Sequence, residues 1–371
     1  MVDRKKLACI STGDVVYRNE ESIVLALRGG RKVLSTSVYN GGYHEDCHAV
    51  FNHDGTCGNT KPYELLADTY EKHMRIVAEH LGLEPDFATG MGTSAQMENA
   101  VIQALTYKDL TVTAIVTGGI DVNGGRAGDP ADYYEPLEQP NRPGTINIIL
   151  ILDADMPPGT MARALVTCTE AKTVAIQELM AGSHYSAGLA TGSGTDQTVI
   201  VANRESSLYL EGAGKHTKMG ELIGKVVIGA VKEALDRQTG MNPTSQHDIM
   251  ARLERFGVTE ETLWTSYNRS RADDKSDEHQ IFLQNLRILK TDKDIVVYGS
   301  LYIYLFDQYQ WKLLDKDEVI QAGRYLLEGL AEVYGTKKTG ILCNSNQGHI
   351  EKLARVIVDI LCKRAGKAIV P

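Results

Sequence analysis

No stretch of this sequence approaches the roughly 18 consecutive apolar residues that a membrane-spanning helix requires, and its basic first residues lead into no apolar run of signal-peptide length. Six cysteines are scattered without a CxxC pair, which argues against a disulfide framework. Basic residues number 39 against 48 acidic ones, for a net charge of -9. Nothing therefore favours binding to nucleic acid or to a membrane, and the sequence predicts a cytoplasmic protein.

The chain of 371 residues exceeds the needs of one small core and suits one large domain followed by an appendage. Glycine-rich polar loops are concentrated before about residue 240, and long charged segments follow. We place the boundary at Met241-Asn242-Pro243. The sequence thus predicts a domain over 1–240, with halves of about 1–110 and 111–240, and a mainly helical extension over 241–371.

Hydrophobic periodicity predicts the elements of both regions. Alternation predicts a β-meander over the first forty residues and strands at 112–116, 146–152 and 198–202. Helical spacing predicts helices at 63–81, 160–181, 220–235, 318–334 and 349–364, and the run 295–305, rich in Val, Ile and Tyr, is typical of a strand. This order predicts an α+β fold, a layered mixed β-sheet with helices and two pseudo-equivalent halves.

The N-terminal region contains a repeated pattern. A predicted strand leads into Asn-Gly-Gly at residues 40–42 and again at 123–125. The two predicted helices that follow align at one constant offset, and each is followed by Ala-Thr-Gly-x-Gly-Thr, at 88–93 and 190–195. Three elements in the same order indicate a duplication, and two related halves would place a ligand cleft between them.

Lys172 lies in the middle of the apolar stripe of the predicted helix 160–181. A buried ammonium group is costly unless it is paired. Two interpretations stay open. In one, the lysine snorkels or is tied to a buried carboxylate. In the other, it faces a cleft, where it either has a lowered pKa or holds an anionic transition state. Glu170 lies well round the same helix, where spacing alone makes it a surface carboxylate.

Two glycine-rich loops concentrate polar side chains. Residues 191–196, TGSGTD, form a turn whose backbone N–H groups can converge on an anion or a developing oxyanion. The turn lacks the Gly-Lys-Ser/Thr ending of a P-loop and precedes a strand, so nucleotide binding is not predicted. Residues 121–129, DVNGGRAGD, carry two carboxylates, an amide and a guanidinium. Both loops are typical of functional sites, and an ordinary tight turn is the alternative for the first.

Thr145 and Asn147 open the predicted strand 146–152 with side chains on one face. Thr145 is a candidate nucleophile and Asn147 a candidate oxyanion donor, unless both only tie down the preceding loop. His216 is a candidate general base, or it caps the following helix together with Thr217.

A stretch rich in potential zinc ligands precedes the first predicted helix. Its members are His44, Cys47, His48, His53 and Cys57. Zinc favours such side chains, but their spacing matches no standard zinc site, so no metal is predicted.

Several motifs in a fixed order resemble the adenosylcobinamide amidohydrolase family, over roughly residues 10–238. They are Asn40-Gly41-Gly42, residues 123–129, Gly144-Thr145-Ile146-Asn147, Thr169-Glu170-Ala171-Lys172, residues 191–196, and His216-Thr217-Lys218 to Glu221. The resemblance implies hydrolysis of the amide that joins aminopropanol to a side chain of the corrin ring, giving adenosylcobyric acid in corrinoid salvage and cobalamin biosynthesis. The His/Cys-rich stretch and the C-terminal extension depart from the family.

Hydrolysis of an unactivated amide requires a nucleophile or an activated water, an oxyanion site, and an acid for the leaving amine. For these roles we assign Lys172, Asp196, Thr145, Asn147, Glu170 and His216. Asp196 or His216 would activate water or Thr145, and Lys172 would supply charge or a proton. The residues expected to hold the corrinoid are Asn40, Gly41, Gly42, Tyr43, Asn52, Asp121, Asn123, Gly124, Arg126, Asp129, Thr191, Gly192, Gly194, Thr195 and Lys218.

The interpretation requires no cofactor, because the cobalt-containing corrinoid is the substrate, and a homodimer is compatible with it. Three alternatives stay open. One is an autoprocessing amidase in which the Gly144–Thr145 bond breaks, and another is a metal-dependent hydrolase. The third is a non-catalytic corrinoid carrier, although the carrier motif Asp-x-His-x-x-Gly has its nearest match at Asp46-Cys47-His48 with Phe51 in place of glycine.

Overall fold

The computed structural model describes residues 4–19, 21–56, 64–131, 145–270, 278–336 and 348–366. The chain divides into two compact units: unit 1 comprises Met1–His184 and Leu189–Asn242, and unit 2 comprises Tyr185–Gly188 and Pro243–Pro371. Unit 1 combines sheets with helices, and unit 2 is helical over its described residues. The predicted α+β fold with a helical C-terminal region is confirmed. Within the described part of the chain, no helix is both long and apolar enough to cross a membrane.

Unit 1 contains two large β-sheets, which we name sheet A and sheet B. Sheet A has the spatial order β1 (Lys5–Cys9), β2 (Val15–Arg18), β3 (Ser22–Ala26), β6 (Ala49–Asp54), β7 (Ala88–Thr93). Sheet B has the order β5 (Gly42–His44), β4 (Arg31–Ser35), β13 (Gln197–Asn203), β11 (Ile146–Leu152), β9 (Leu110–Gly118), β8 (Val101–Tyr107). A short ladder joins β10 (Gly124–Gly125) to β12 (Gly192–Ser193), and the helices are α1 (Tyr70–His80), α2 (Pro158–Glu178) and α3 (Lys218–Thr239).

The two sheets pack face to face, and helices cover their outer faces. Between the sheets, side chains of β3 and β6 such as Leu25 and Val50 contact those of β11 and β13 such as Ile149 and Val199. On the outer face of sheet B, β9, β11 and β13 pack against α2 and α3. On the outer face of sheet A, β3, β6 and β7 pack against α1. Unit 1 is therefore a four-layer arrangement: helix, sheet, sheet, helices.

Burial on both faces explains the composition of the central strands of sheet B. The strand β11, INIILIL, is buried at every position, and β13 is buried from Thr198 to Ala202. A strand with two covered faces is apolar nearly throughout, because no face is left for polar alternation. The strands β11 and β13 are parallel, and α2 provides the crossover between them. The sequence pattern located all three elements to within a few residues.

The topology contains a repeat. In sheet A, the antiparallel pair β2–β3 continues into β6, α1 and the parallel strand β7. In sheet B, the antiparallel pair β8–β9 continues into β11, α2 and the parallel strand β13. Each half is thus a hairpin followed by a β-α-β unit, and α1 and α2 are counterparts, as the constant offset predicted.

The strand correspondence predicted from the glycine motifs is wrong. The counterpart of β9 is β3, whereas β4 pairs antiparallel with β13 and, with β5, extends sheet B. The predicted meander therefore holds for β1 to β3 only. Residues 88–93 form β7 itself, while 190–195 lie before β13. A short glycine-rich motif fits a strand or a turn equally well, so its recurrence does not identify equivalent positions.

Unit 2 is a bundle of helices. They are α4 (Ile249–Leu253), α5 (Glu260–Arg269), α6 (Glu278–Leu289), α7 (Lys293–Gln310), α8 (Lys316–Tyr334) and α9 (His349–Ala365). Arg255 and Asp307 form a bidentate, buried ion pair, with N–O distances of 2.8 and 2.6 Å. The strand predicted at 295–305 is wrong, because these residues lie within α7. There, Ile295, Gly299, Tyr302 and Ile303 are buried at helical spacing, so packing outweighs the strand propensity of the run.

Candidate functional site

The layer between the two sheets ends in a polar network at one edge. On β6 and β9, Asn52 and Thr117 lie two positions after the inward-facing Val50 and Ile115. On the antiparallel neighbour β11, Asn147 lies two positions before the inward-facing Ile149. The Asn147 amide donates to Asn52 Oδ1 at 2.7 Å and to the Gly92 carbonyl at 3.0 Å, and Asn52 donates to Thr117 Oγ1 at 2.7 Å. All three side chains are at most 3% exposed. Period-two alternation places them on one inner face, where they close the apolar layer.

This geometry bears on two of the predicted roles. Both amide hydrogens of Asn147 are already donated to protein acceptors, so Asn147 is not placed to donate to an oxyanion. Asn52 is likewise engaged through both of its amide atoms rather than exposed to a ligand. The two residues tie sheet A to sheet B beside the site. For Asn147, these contacts agree with the alternative that the residue has a structural role.

Loss of the Asn147 amide is expected to be destabilising. The variant Asn147→Leu leaves Asn52 Oδ1 and the Gly92 carbonyl without a buried donor, and the free energy of unfolding should fall by about 2–4 kcal/mol. Denaturant unfolding measures this change. The double variant Asn52→Leu/Asn147→Leu should cost less than the sum of the two single variants, because one unsatisfied partner is removed with the other. If the two single-variant losses in unfolding free energy simply added in the double variant, the proposed coupling between Asn52 and Asn147 would be contradicted.

Asp196 is held by four donors just beyond this network. Its Oδ1 accepts from Ile146 N at 2.8 Å and from Ser193 Oγ at 2.7 Å. Its Oδ2 accepts from Ser193 N at 3.0 Å and from the ammonium of Lys172. A carboxylate offers about four lone-pair sites, so its acceptor capacity is filled. Asp196 is therefore placed to position its neighbours, and the predicted activation of a water by Asp196 has no free oxygen site to support it.

Lys172 projects from α2 towards Asp196, and the lysine side chain is only 10% exposed. The pair explains how an ammonium is accommodated on the apolar face of α2, beside the buried Cys168. This pair agrees with the first interpretation of Lys172, in which the lysine is tied to a carboxylate. Of the three N–H donors of the ammonium, one goes to Asp196, and the part of the chain that the structure describes provides no acceptor for the other two.

Gly192 is the residue that allows this pair to form. A Cβ atom at position 192 would lie 2.2 Å from Asp196 Oδ2 and 2.6 Å from Lys172 Nζ. Cβ atoms in proteins essentially never approach another heavy atom closer than 3.0 Å, so any residue other than glycine at position 192 would displace Lys172 and Asp196. Gly194, at the exposed tip of the same turn, would meet nothing within 4 Å.

The two glycine-rich loops are brought into direct contact. Gly124 pairs with Ser193 and Gly125 with Gly192 in the β10–β12 ladder. Thr191 N donates to the Gly125 carbonyl at 2.8 Å, and Ala127 N donates to Thr191 Oγ1 at 2.9 Å. We call residues 123–129 and 191–196 the glycine loop pair. The prediction that both loops contribute to one location agrees with this geometry.

Other members of the first loop differ in their surroundings. Asn123 is buried, Asp121 is exposed, and Asp129 accepts from Arg126 N at 2.7 Å and from Ser183 Oγ at 2.5 Å. Asp129 thus shapes the loop. Asp121 and the backbone of the loop tip face solvent, where a large ligand has access to them.

Thr145 lies next to the loop pair, and among the described residues no base lies beside its hydroxyl. Its Oγ1 donates to the Thr195 carbonyl at 2.7 Å and lies 3.3 Å from Asn147 Oδ1. A backbone carbonyl does not accept a proton as a base does, so the geometry supports a structural tie rather than an activated nucleophile. Gly144 lies outside the described residues, and the predicted cleavage at Gly144–Thr145 rests on sequence alone.

Glu170 and His216 are not brought to this location. Glu170 forms an exposed ion pair with Lys215 at 3.0 Å. His216 is exposed and precedes α3, whose first residue, Lys218, lies over the Tyr107 ring at 4.6 Å. Tyr107 lies at the far end of the β8–β9 hairpin from Gly118, on the order of 25 Å along the strands. The catalytic roles assigned to Glu170 and His216 therefore have no geometric support, and neither has the binding role of Lys218.

The Asn-Gly-Gly segment at 40–42 forms the turn between β4 and β5. Asn40 has a φ of 46° and donates to the carbonyls of Pro85 and Ala88, both at 2.8 Å. A Cβ atom at Gly41 would lie 2.0 Å from the Ser37 carbonyl, so glycine is required there. Along β7, Ala88 is about 13 Å from Gly92, which contacts Asn147. These contacts give Asn40 and Gly41 a structural role, and the binding roles of Asn40, Gly41, Gly42 and Tyr43 stay predictions.

The described histidines of the N-terminal stretch have separate contact partners and do not converge on one point. His44 contacts the Gly41 carbonyl, His48 stacks on Phe87, and His53 Nδ1 is 2.9 Å from Ser22 Oγ. Among the described residues, no three His, Cys, Asp or Glu side chains form a metal-binding group, and Cys57 lies outside them. Burial raises the pKa of the Cys47 thiol to about 11 and that of Cys168 to about 12, so neither is a thiolate at neutral pH.

Sequence analysis did not single out Ser193 or Thr117. Ser193 contacts Asp196 through both its amide and its hydroxyl, and Thr117 completes the polar network. A sequence signal exists for each: Ser193 lies inside the TGSGTD turn, and Thr117 continues the inward stripe of β9 two positions after Ile115.

Comparison with known proteins places this chain in a family. The chain matches the family model of the adenosylcobinamide amidohydrolases over residues 7–243. It is 34% identical over 238 residues to an uncharacterized protein of Methanocaldococcus jannaschii, covering 61% of this chain and 89% of that relative. The chain belongs to the adenosylcobinamide amidohydrolase family, and the resemblance inferred from the motifs is confirmed. The matched region ends at residue 243, beside the limit of unit 1.

Proposed function

We propose that this protein hydrolyses the amide between aminopropanol and the corrin side chain of adenosylcobinamide, giving adenosylcobyric acid. The observation that carries the proposal is the Lys172 ammonium, held by Asp196 under the glycine loop pair of a chain that belongs to this family. A cation with one donor bound by Asp196 and, among the described residues, two donors without an acceptor suits the negative charge that develops during amide hydrolysis.

The reaction would proceed by addition of water to the amide carbonyl. The carbonyl oxygen becomes an oxyanion, which the Lys172 ammonium and the loop backbone near Gly194 stabilise. The C–N bond then breaks, the nitrogen takes up a proton and leaves as aminopropanol, and the carbonyl carbon becomes a carboxylic acid. Lys172 would contact the oxyanion, Asp196 holds the Lys172 ammonium, and Ser193 holds Asp196.

Water is favoured over Thr145 as the nucleophile because the Thr145 hydroxyl donates to a backbone carbonyl. Denaturing electrophoresis of active protein distinguishes the two routes. A single full-length band is expected, and two fragments that separate at residue 145 would support an autoprocessed threonine nucleophile instead. Activity is also expected to persist after exhaustive chelation, and its loss with recovery on metal addition would favour a metal-dependent hydrolase.

The decisive experiment is incubation of the purified chain with adenosylcobinamide, followed by mass spectrometry. The expected product is adenosylcobyric acid together with free aminopropanol. If the corrinoid binds and is recovered unchanged, the protein is a corrinoid carrier and the hydrolysis proposal fails. The carrier motif is not favoured by the structure, since His48 stacks on Phe87 and lies near Glu84.

A further inference from the structure

A cavity of about 550 Å³ lies on the other side of β6 from the polar network. Asn52 faces sheet B, whereas the next residue, His53, faces α1, because alternate residues of a strand point to opposite faces. The cavity is bounded by the ends of β2 and β6 and by α1. Its volume is in the range of small-molecule sites, and none of the roles described above uses it.

The charge of the lining selects the class of ligand. Among the described residues that line the cavity, Glu21, Asp54 and Glu64 are acidic, and none is lysine or arginine. Burial lowers the pKa of His53 and His73, so both imidazoles are neutral at pH 7. Three carboxylates and no described lysine or arginine in the lining favour a cation over phosphates and carboxylates.

The remaining wall combines apolar surface with an unsatisfied amide. Leu66, Val77 and Leu81 contribute aliphatic side chains. Asn19, which is 8% exposed, lies in the wall, and neither its amide oxygen nor its nitrogen has a hydrogen-bond partner among the described residues. A buried amide without partners is destabilising, so a ligand that supplies a donor to this oxygen would recover free energy.

We propose that this cavity binds a small organic ammonium ion, with its charged group towards the carboxylates and the Asn19 amide and its apolar body against Leu66, Val77 and Leu81. The site is separate from the Lys172–Asp196 pair, and the proposal does not depend on the hydrolysis proposed above. A small organic ammonium ion carries both a positive charge, which suits the carboxylates of the lining, and an apolar body, which suits its aliphatic side chains.

A charge series tests the proposal on the full chain. The probes are 2-phenylethylammonium, 2-phenylethanol and phenylacetate, which share a skeleton and differ in charge, and calorimetric titration measures their affinities. The ammonium is expected to bind at least roughly tenfold more tightly than the alcohol, and phenylacetate not at all. Equal affinities, or preference for phenylacetate, would overturn the proposal.

Variants locate the binding. Asn19→Leu should weaken binding of 2-phenylethylammonium roughly tenfold without loss of stability, because it removes an unsatisfied amide rather than a contact. Glu64→Gln should weaken it several-fold, and Glu170→Gln, on the surface of α2, should leave it unchanged. Unchanged affinity in both Asn19→Leu and Glu64→Gln would place the ligand elsewhere and refute the site.

Acidification provides an independent readout. The titratable groups around the cavity are Glu21, His53, Asp54, Glu64, His73 and His80. Below pH 6.5, protonation of the two buried histidines adds positive charge, so affinity for the ammonium should fall as pH is lowered through their reduced pKa values. An affinity that rises on acidification would contradict the assigned charge of the cavity.

Discussion

The variant Lys172→Met is expected to lower kcat for adenosylcobinamide hydrolysis by about 10²- to 10³-fold, the usual effect of removing one preorganised oxyanion donor. Methionine retains the apolar stem that packs on α2 near Cys168, so the loss falls on the charge. Product formation followed by mass spectrometry measures the rate, and KM should change far less than kcat if the interaction is made in the transition state.

Stability must be separated from chemistry in this experiment, because removal of one partner from a buried ion pair typically costs about 3–5 kcal/mol. The double variant Lys172→Met/Asp196→Asn removes both charges and should recover much of that cost while remaining inactive. Glu170→Gln is the matched control on the same helix, where an exposed ion pair contributes little. A folded Lys172→Met protein with near-native kcat would refute the role of Lys172.

The variant Gly192→Ala is expected to lower kcat/KM by about 100-fold and the free energy of unfolding by about 1–3 kcal/mol. The added methyl group would lie 2.2 Å from Asp196 Oδ2 and 2.6 Å from Lys172 Nζ, so the pair must separate or the loop must move. This variant changes no charged group. It therefore tests whether the position of the ammonium, and not only its presence, matters.

Gly194→Ala serves as the stability control for this second variant, since its Cβ atom would meet nothing within 4 Å in the same turn. Its free energy of unfolding should stay within about 0.5 kcal/mol of the parent value. Enzyme rate and unfolding in denaturant are measured side by side. Full activity in Gly192→Ala would show that the close approach of the pair to the loop is not required.

Several features were determined by the sequence alone. The continuous apolar run of β11 and the helical spacing of α2 and α3 report burial of a local segment, and such patterns predict the segment whatever it packs against. The family was also recognisable, because its motifs occur in a fixed order. The burial of Lys172 followed from its place on the stripe of α2.

Tertiary structure decided which segments meet. The β4–β5 hairpin extends sheet B rather than continuing the meander. The strand-like run at 295–305 is helical in α7 because its buried residues recur at helical spacing and pack on one face of that helix. Asn147 meets Asn52 across 95 residues of sequence, which commits an amide that the sequence suggested for an oxyanion. Glu170 and His216 belong to the sequence motifs that suggested the site, but their side chains lie away from the Lys172–Asp196 pair.

The physical reason is the same in each case. Periodicity reports that a face of a segment is buried, while the identity of its partner depends on contacts between residues distant in the chain, which local patterns do not encode. The sequence therefore determined that Lys172 lies on the buried face of its helix. Only the folded chain decided that its partner is Asp196 and that Gly192 makes room for the pair.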